Sequence, residues 1–203
     1  MERISHHMKN TFLAMLFRMK YINRWSLMFN TRTESLSVHT AECALTTHFL
    51  CSIGNTYFNK NYDIHKLTTY ALYHDATEIL TGDLPTPIKY YNSDIKLAYK
   101  NIEAMASTKL LSALPDELKE VYQKYFVQST LTNEELSIIK AADKVCAYIK
   151  CLTEINSGNK EFTKAYHTLK ETVYNYPCEE LKYFLDNHIE AFSMSLDELK
   201  MEL

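Results

Sequence analysis

Long stretches of helically spaced apolar residues, almost free of helix breakers, are the feature that most constrains this fold. Only three glycines and four prolines occur in 203 residues. Gly54 follows SVHTAECALTTHFLCSI, Gly82 follows KLTTYALYHDATEILT, and Gly158 follows a periodic run ending at Ser157. Each glycine is expected to stop a helix in the left-handed conformation. Pro85, Pro87, Pro115 and Pro177 mark loops. After Thr132, the residues Leu136, Ile139, Lys140, Asp143, Cys146, Ala147 and Lys150 trace one helical stripe. It is apolar except for Asp143 and two lysines whose stems can lie along it. Capping boxes are expected at Thr132 with Glu135 and at Ser195 with Glu198, and Asp63 is placed to cap the segment from Ile64.

These marks predict helices near 6–20, 37–53, 64–80, 94–112, 116–126, 133–157, 160–174 and 179–192, with a short terminal helix from 196. No strand-like alternation of useful length, repeat or linker interrupts them. The expected fold is an all-α bundle of about eight helices in a single domain, 1–203.

Composition narrows the function classes. A net charge of -3 argues against a protein that coats a nucleic-acid polymer, which would carry a basic surplus. No stretch approaches the ~18 apolar residues of a membrane span, and MERISHHMKNTF lacks the apolar core of a signal peptide. Cys43, Cys51, Cys146, Cys151 and Cys178 form an odd set without a CxxC pair, so they read as buried thiols in a reducing compartment. A cytoplasmic protein without a membrane partner is expected. Most of the fifteen tyrosines and nine phenylalanines are assigned to the core or a subunit interface.

Chemistry concentrates in Tyr73-His74-Asp75-Ala76-Thr77-Glu78, flanked by TTYALY and IL. Burying an imidazole and two carboxyls together is costly unless something neutralises them, and a divalent cation would do so. His39 and Asp143 interrupt apolar helical runs in the same way. If the three helices pack together, His39, His74, Asp75 and Asp143 can converge on one ion. Adjacent helical residues project about 100° apart, so His74 and Asp75 would share it only near that helix's flank. Two imidazoles and two carboxylates suit an octahedral Mn, Fe, Co, Ni or Mg ion better than a structural thiolate zinc site, and leave positions for water and a phosphate oxygen. His48, His65, His167 and His188 are assigned to structural or surface roles.

The pattern at His39, His74/Asp75 and Asp143 resembles the HD-domain metal-dependent phosphohydrolases, and more narrowly the bacterial HD-domain 5'-deoxynucleotidases. The resemblance is carried by YINRWSLMFNTRTESLSVH (21–39), ALYHDATEILTGDLPTPIKYYNS (71–93), IIKAADKVCAYIKCLTEINSGN (138–159) and SMSLDEL (193–199). It implies a helical homodimer that hydrolyses deoxynucleoside 5'-monophosphates with one divalent ion per subunit, activated by Co or Mn. It places metal ligands at His39, His74, Asp75 and Asp143, and substrate contacts at Arg24, Trp25, His39 and Asp83.

Arg24 offers a planar fork for phosphate, and Trp25 a wall that excludes a 2'-hydroxyl. Glu78 is expected to exchange protons with the attacking water. Asp83 would contact the sugar 3'-hydroxyl or protonate the leaving 5'-oxygen. Val38 stands where the family commonly has an acidic residue, and Ser26 where it has proline, so a different orienting partner for His39 and a looser Arg-Trp loop are expected. Two alternatives accompany this reading. One is a deoxynucleoside triphosphate hydrolase, with Lys89 and Lys144 as further anion contacts. The other is a nucleotide-sensing scaffold without turnover.

Overall fold

A computed structural model describes residues 11–89, 91–126 and 130–199. The chain is all-α, as the apolar periodicity requires. The α-helices are α1 (Phe12–Leu16), α2 (Leu36–Tyr57), α3 (Ile64–Tyr73), α4 (Glu78–Thr81), α5 (Thr86–Lys89), α6 (Ser93–Leu111), α7 (Asp116–Phe126), α8 (Asn133–Asn156), α9 (Thr163–Tyr174) and α10 (Glu179–Asn187). Single 3-10 segments cover Phe17–Tyr21, Lys160–Phe162 and Ile189–Ser193. The one extended pairing among the described residues is an antiparallel bridge between Asn23 and Ser35. No helix among them is long and apolar enough to cross a membrane.

Several boundaries follow local chemistry read from sequence. Thr132 and Glu135 form the expected reciprocal capping box at α8, and the Asp63 carboxylate accepts from Lys66 N at 3.0 Å. Gly82 and Gly158 adopt φ of 73° and 82° and end their helices. Elsewhere the structure corrects the expectation. The predicted helix 64–80 is broken, because His74–Thr77 form a turn between α3 and α4. Part of the predicted 6–20 helix lies outside the described residues, and the rest tightens into 3-10 geometry after Leu16. Of the terminal helix expected from 196, residues 196–199 form a turn in which Ser195 N and Oγ donate to Glu198 at 2.7 and 2.8 Å, and the rest lies outside the described residues.

The described residues divide into two compact units, one drawn from within 11–27, 33–41 and 72–130 and the other from within 28–32, 42–71 and 131–199. In the first, Phe12, Leu16, Met19, Leu36, Ala76, Leu110 and Leu114 form a buried cluster. The Phe12 ring meets Tyr122 edge-on at 5.0 Å. Each such fully buried apolar side chain contributes roughly 1.5–3 kcal/mol. Ala76 belongs to this cluster, so the turn carrying His74 and Asp75 is pinned by its own apolar residue.

In the second unit, α8 packs mainly along α9 and buries Ile138, Ala141, Val145 and Cys151. Glu154 is wholly buried there and accepts from Thr31 N (3.0 Å), Thr31 Oγ1 (2.7 Å), Arg32 N (3.3 Å), Asn159 Nδ2 (2.8 Å) and Lys150 Nζ. These donors, the Lys150 ammonium among them, hold its carboxyl well below the usual range although burial opposes ionisation. The five cysteines are free thiols, four of them buried.

Gly54 is not the helix stop its sequence position predicts; it lies within α2. A Cβ there would fall 2.6 Å from Tyr62 Cε2 and 3.0 Å from Glu180 Oε1. Close approach, not a left-handed turn, requires this glycine. Gly54→Ala should therefore destabilise the protein by about 1–3 kcal/mol, outweighing the ~1 kcal/mol propensity gain of alanine in a helix. Urea unfolding measures the difference, and a midpoint above the parent's would refute the packing argument.

Candidate active site

The first unit assembles its polar cluster from three backbone devices. Segment 22–24 pairs with 34–36: Arg24 N donates to Glu34 O at 2.9 Å and Leu36 N to Ile22 O at 2.8 Å. This brings Arg24 beside the start of α2. The next residue, Trp25, has φ of 56°, a left-handed conformation that costs a bulky side chain on the order of 1 kcal/mol or more. The second device is α2 itself, which carries His39 one turn in with no solvent exposure. The third is the turn after α3. There Ala76 N donates to Tyr73 O (3.0 Å), Glu78 N to Asp75 O (2.9 Å) and Ile79 N to Ala76 O (3.2 Å). These i→i+3 bonds wind the chain more tightly than an α-helix, and His74 Nε2 lies 3.2 Å from Asp75 Oδ2.

Asp75 Oδ2 is the meeting point. Arg24 Nη1 donates to it at 3.3 Å, and His39 Nε2 stands 3.6 Å away. The two imidazole rings are 5.5 Å apart, with a ligand nitrogen of each within 4.8 Å of the other. Burial opposes ionisation of Asp75, but His74, His39 and Arg24 hold its carboxyl far below the usual range. On its other side Arg24 Nε contacts Glu34 Oε1 at 3.2 Å, and the same oxygen lies 3.3 Å from His39 Nδ1.

Glu78 is buried, and its Oε2 has no hydrogen-bond partner. Burial first, then the negative charges of Asp75 and Asp83, pushes its carboxyl up to about 9, against the opposing pull of Arg24 and Lys89. Asp83 follows Gly82, whose positive φ turns the chain at the end of α4. Burial raises its carboxyl too, with Arg24 opposing. Lys89, expected as an extra anion contact, is engaged: its Nζ lies 3.0 Å from Glu103 and 4.5 Å above the Tyr99 ring. Lys144, the other such residue, sits 5.8 Å from the Tyr176 ring in the second unit.

Asp143 is half-buried in α8, with a carboxylate oxygen within 4.8 Å of Cys43 Sγ. Cys43, which by sequence pattern alone is an apolar buried thiol, lies one turn beyond His39 on α2. Glu34 was missed altogether, because an acid ahead of a helix reads as ordinary first-turn chemistry. Val38, the position where an acidic partner for His39 was sought, is 43% exposed; the carboxylate beside His39 comes from Glu34. His48, His65 and His167 are exposed, as assigned.

Residues 11–192 match the model of the YfbR-like 5'-deoxynucleotidase family. The chain belongs to that family. It is 45% identical to a 5'-deoxynucleotidase of Photorhabdus temperata over 95% of this chain and 98% of the relative. A Shewanella oneidensis 5'-deoxynucleotidase is 44% identical over 94% and 97% of the two chains. The fold is that of an HD-domain phosphohydrolase from Listeria innocua (TM-score 0.78, 23% identity, 95% of this chain and 93% of that one). It also matches a cyanophage S-2L HD phosphohydrolase bound to dA and one catalytic Zn2+ ion (TM-score 0.64, 18% identity, 88% and 96%).

Imidazole nitrogens and a carboxylate oxygen converging in a largely buried cluster fit a divalent cation by donor chemistry. The same cluster makes a stability prediction. Glu78 binds a proton in the folded state that the unfolded chain releases above its ordinary value of 4.5, so it makes stability fall as pH rises from there toward 9. Glu78→Gln should therefore stabilise chelator-treated protein at pH 8 by on the order of 1–3 kcal/mol, with the gain shrinking toward pH 5. Thermal melts at both pH values check this, and an equal difference at each would exclude Glu78 as the titrating group.

Proposed function

We propose that this protein is a metal-dependent 5'-deoxynucleotidase, converting deoxyribonucleoside 5'-monophosphates to deoxyribonucleosides and phosphate. Convergence of His39, His74 and Arg24 on one oxygen of Asp75, with the buried carboxyl of Glu78 close by in the same unit, carries this reading. Membership of a 5'-deoxynucleotidase family supports it, as does the dA and zinc of the cyanophage enzyme.

In this reading one divalent ion per subunit is held by His39, His74, Asp75 and Asp143, with Co or Mn as activating metals. When bound, such an ion supplies charge that acidifies water, offsets phosphoryl charge and lowers the proton affinity of nearby carboxyls. Arg24, braced by Glu34 and Asp75, presents its remaining N–H donors to the phosphate. Glu78 takes a proton from the attacking water as the new P–O bond forms. Asp83, whose burial favours the protonated acid, delivers a proton to the 5'-oxygen as the old P–O bond breaks. His39 and Trp25 border the nucleotide, and Trp25 crowds a 2'-hydroxyl.

The family match over nearly the whole chain supports a single functional domain, 1–203, acting on small nucleotides rather than on a nucleic-acid polymer or a membrane. Five free cysteines support a reducing, cytoplasmic setting, and exposed apolar side chains such as Leu27, Phe29 and Leu45 support a homodimer. The pairing of Lys89 with Glu103 leaves a triphosphate less provided for than a monophosphate.

Phosphate release from dAMP and dTMP, and from their ribonucleotides, with Co, Mn, Zn and Mg tests the assignment; folded, metal-loaded protein that turns over no monophosphate would sink it. Trp25→Ala should raise kcat/KM for AMP relative to dAMP by on the order of tenfold. An unchanged ratio would remove Trp25 from sugar selection.

A further inference from the structure

Glu34 stands where two halves of the site meet. Its side chain is 7% exposed, and one oxygen, Oε1, serves two neighbours: His39 Nδ1 at 3.3 Å and Arg24 Nε at 3.2 Å. Both neighbours reach on to a second carboxylate, since His39 Nε2 and Arg24 Nη1 lie 3.6 and 3.3 Å from Asp75 Oδ2. Glu34, His39, Asp75 and Arg24 therefore form a closed ring in which each acid touches both bases. The backbone fixes Glu34 in this role: its carbonyl accepts from Arg24 N, and the Asn23–Ser35 bridge and the Leu36–Ile22 bond flank it. With Leu36 wholly buried in the core cluster next to it, the glutamate has little freedom to turn away.

With Nδ1 3.3 Å from a carboxylate oxygen, the His39 imidazole is electrostatically favoured in the tautomer protonated there, with its Nε2 lone pair facing away from that acid; carboxylate partners of this kind commonly change metal affinity 10–100-fold. Arg24 Nε forms an ion pair with Glu34 at 3.2 Å without hydrogen-bond alignment, and a planar guanidinium drawn to a carboxylate on that edge has its terminal N–H groups biased in one direction. We propose that Glu34 is a positioning residue that couples the two tasks of the site, presenting His39 Nε2 to the ion and Arg24 to the substrate phosphate. The proposal rests on the metal-dependent phosphomonoesterase reading and adds a linkage to it: one side chain sets both metal loading and phosphate capture.

The test is a two-by-two set of Glu34→Gln and Arg24→Ala, singly and together, with Glu34→Asp as the conservative variant. Co2+ affinity by calorimetry, the visible Co2+ spectrum, and competitive inhibition by inorganic phosphate are read alongside kcat and KM for dAMP. Glu34→Gln should weaken Co2+ binding roughly 10–100-fold, alter the Co2+ spectrum, and raise the phosphate inhibition constant in metal-saturated protein. Arg24→Ala should raise the phosphate constant with little change in Co2+ affinity. In the Arg24→Ala background, Glu34→Gln should still weaken Co2+ binding but add little to the phosphate constant. Glu34→Asp should recover part of both losses, and it carries the test if the glutamine variant does not fold.

Parent-like Co2+ affinity and phosphate inhibition in a Glu34→Gln variant that merely melts lower would overturn the proposal while leaving the hydrolase intact. A parent protein that binds Co2+ no more weakly after His74→Ala, and hydrolyses no monophosphate, would overturn the functional assignment and this inference together.

Discussion

Burial of opposite charges around Asp75 is the constraint on which the rest of the first unit depends. A carboxylate removed from water is tolerated only if matched by donors or cations. Here Arg24, His74 and His39 all approach one of its oxygens, and its proton affinity collapses accordingly. Glu78, three residues on, meets the opposite circumstances: it is buried, its Oε2 is unbonded, and Asp75 and Asp83 repel its charge. Two carboxyls three residues apart are thus pushed in opposite directions by what surrounds each: Asp75 stays charged, as a metal ligand must, and Glu78 has a raised proton affinity suited to proton transfer.

That electrostatic arrangement needs backbone departures from regular helix. An unbroken α-helix through 64–80 would spread His74 and Asp75 about 100° apart. The turn at His74–Thr77 instead brings the His74 and Asp75 side chains together, and the buried methyl of Ala76 ties it to the apolar cluster. On the opposite flank, the short pairing of 22–24 with 34–36 sets Arg24 next to Glu34 and His39. The left-handed backbone of Trp25 lies immediately beyond it, and strain of this kind collects where geometry serves a site.

The second unit is organised by a different buried charge. Glu154 gathers donors from Thr31, Arg32, Lys150 and Asn159 and so fixes segment 28–32 against the end of α8. Its carboxyl is ionised and fully bonded, whereas that of Glu78 is raised and partly unbonded. The first pattern is that of a structural clip, and the second that of a group held ready for proton transfer.

The sequence by itself determined the helical class, most helix limits, the Thr132 and Asp63 caps, the turns at Gly82 and Gly158, and the choice of His39, His74, Asp75, Asp143, Glu78 and Asp83 as candidates. Those features are local: periodicity, capping and glycine φ depend on a few consecutive residues, and polar groups inside apolar runs stand out without coordinates. Only the tertiary structure decided the break at His74–Thr77, the close packing that demands Gly54, and the place of Glu34 between His39 and Arg24. The Gly54 packing joins segments far apart in sequence, the 74–77 break reflects the balance between local helix propensity and core burial, and the place of Glu34 depends on the irregular pairing of 22–24 with 34–36. No spacing rule encodes that one oxygen of Glu34 touches a histidine five residues ahead and an arginine ten residues behind, because only folding brings the two together.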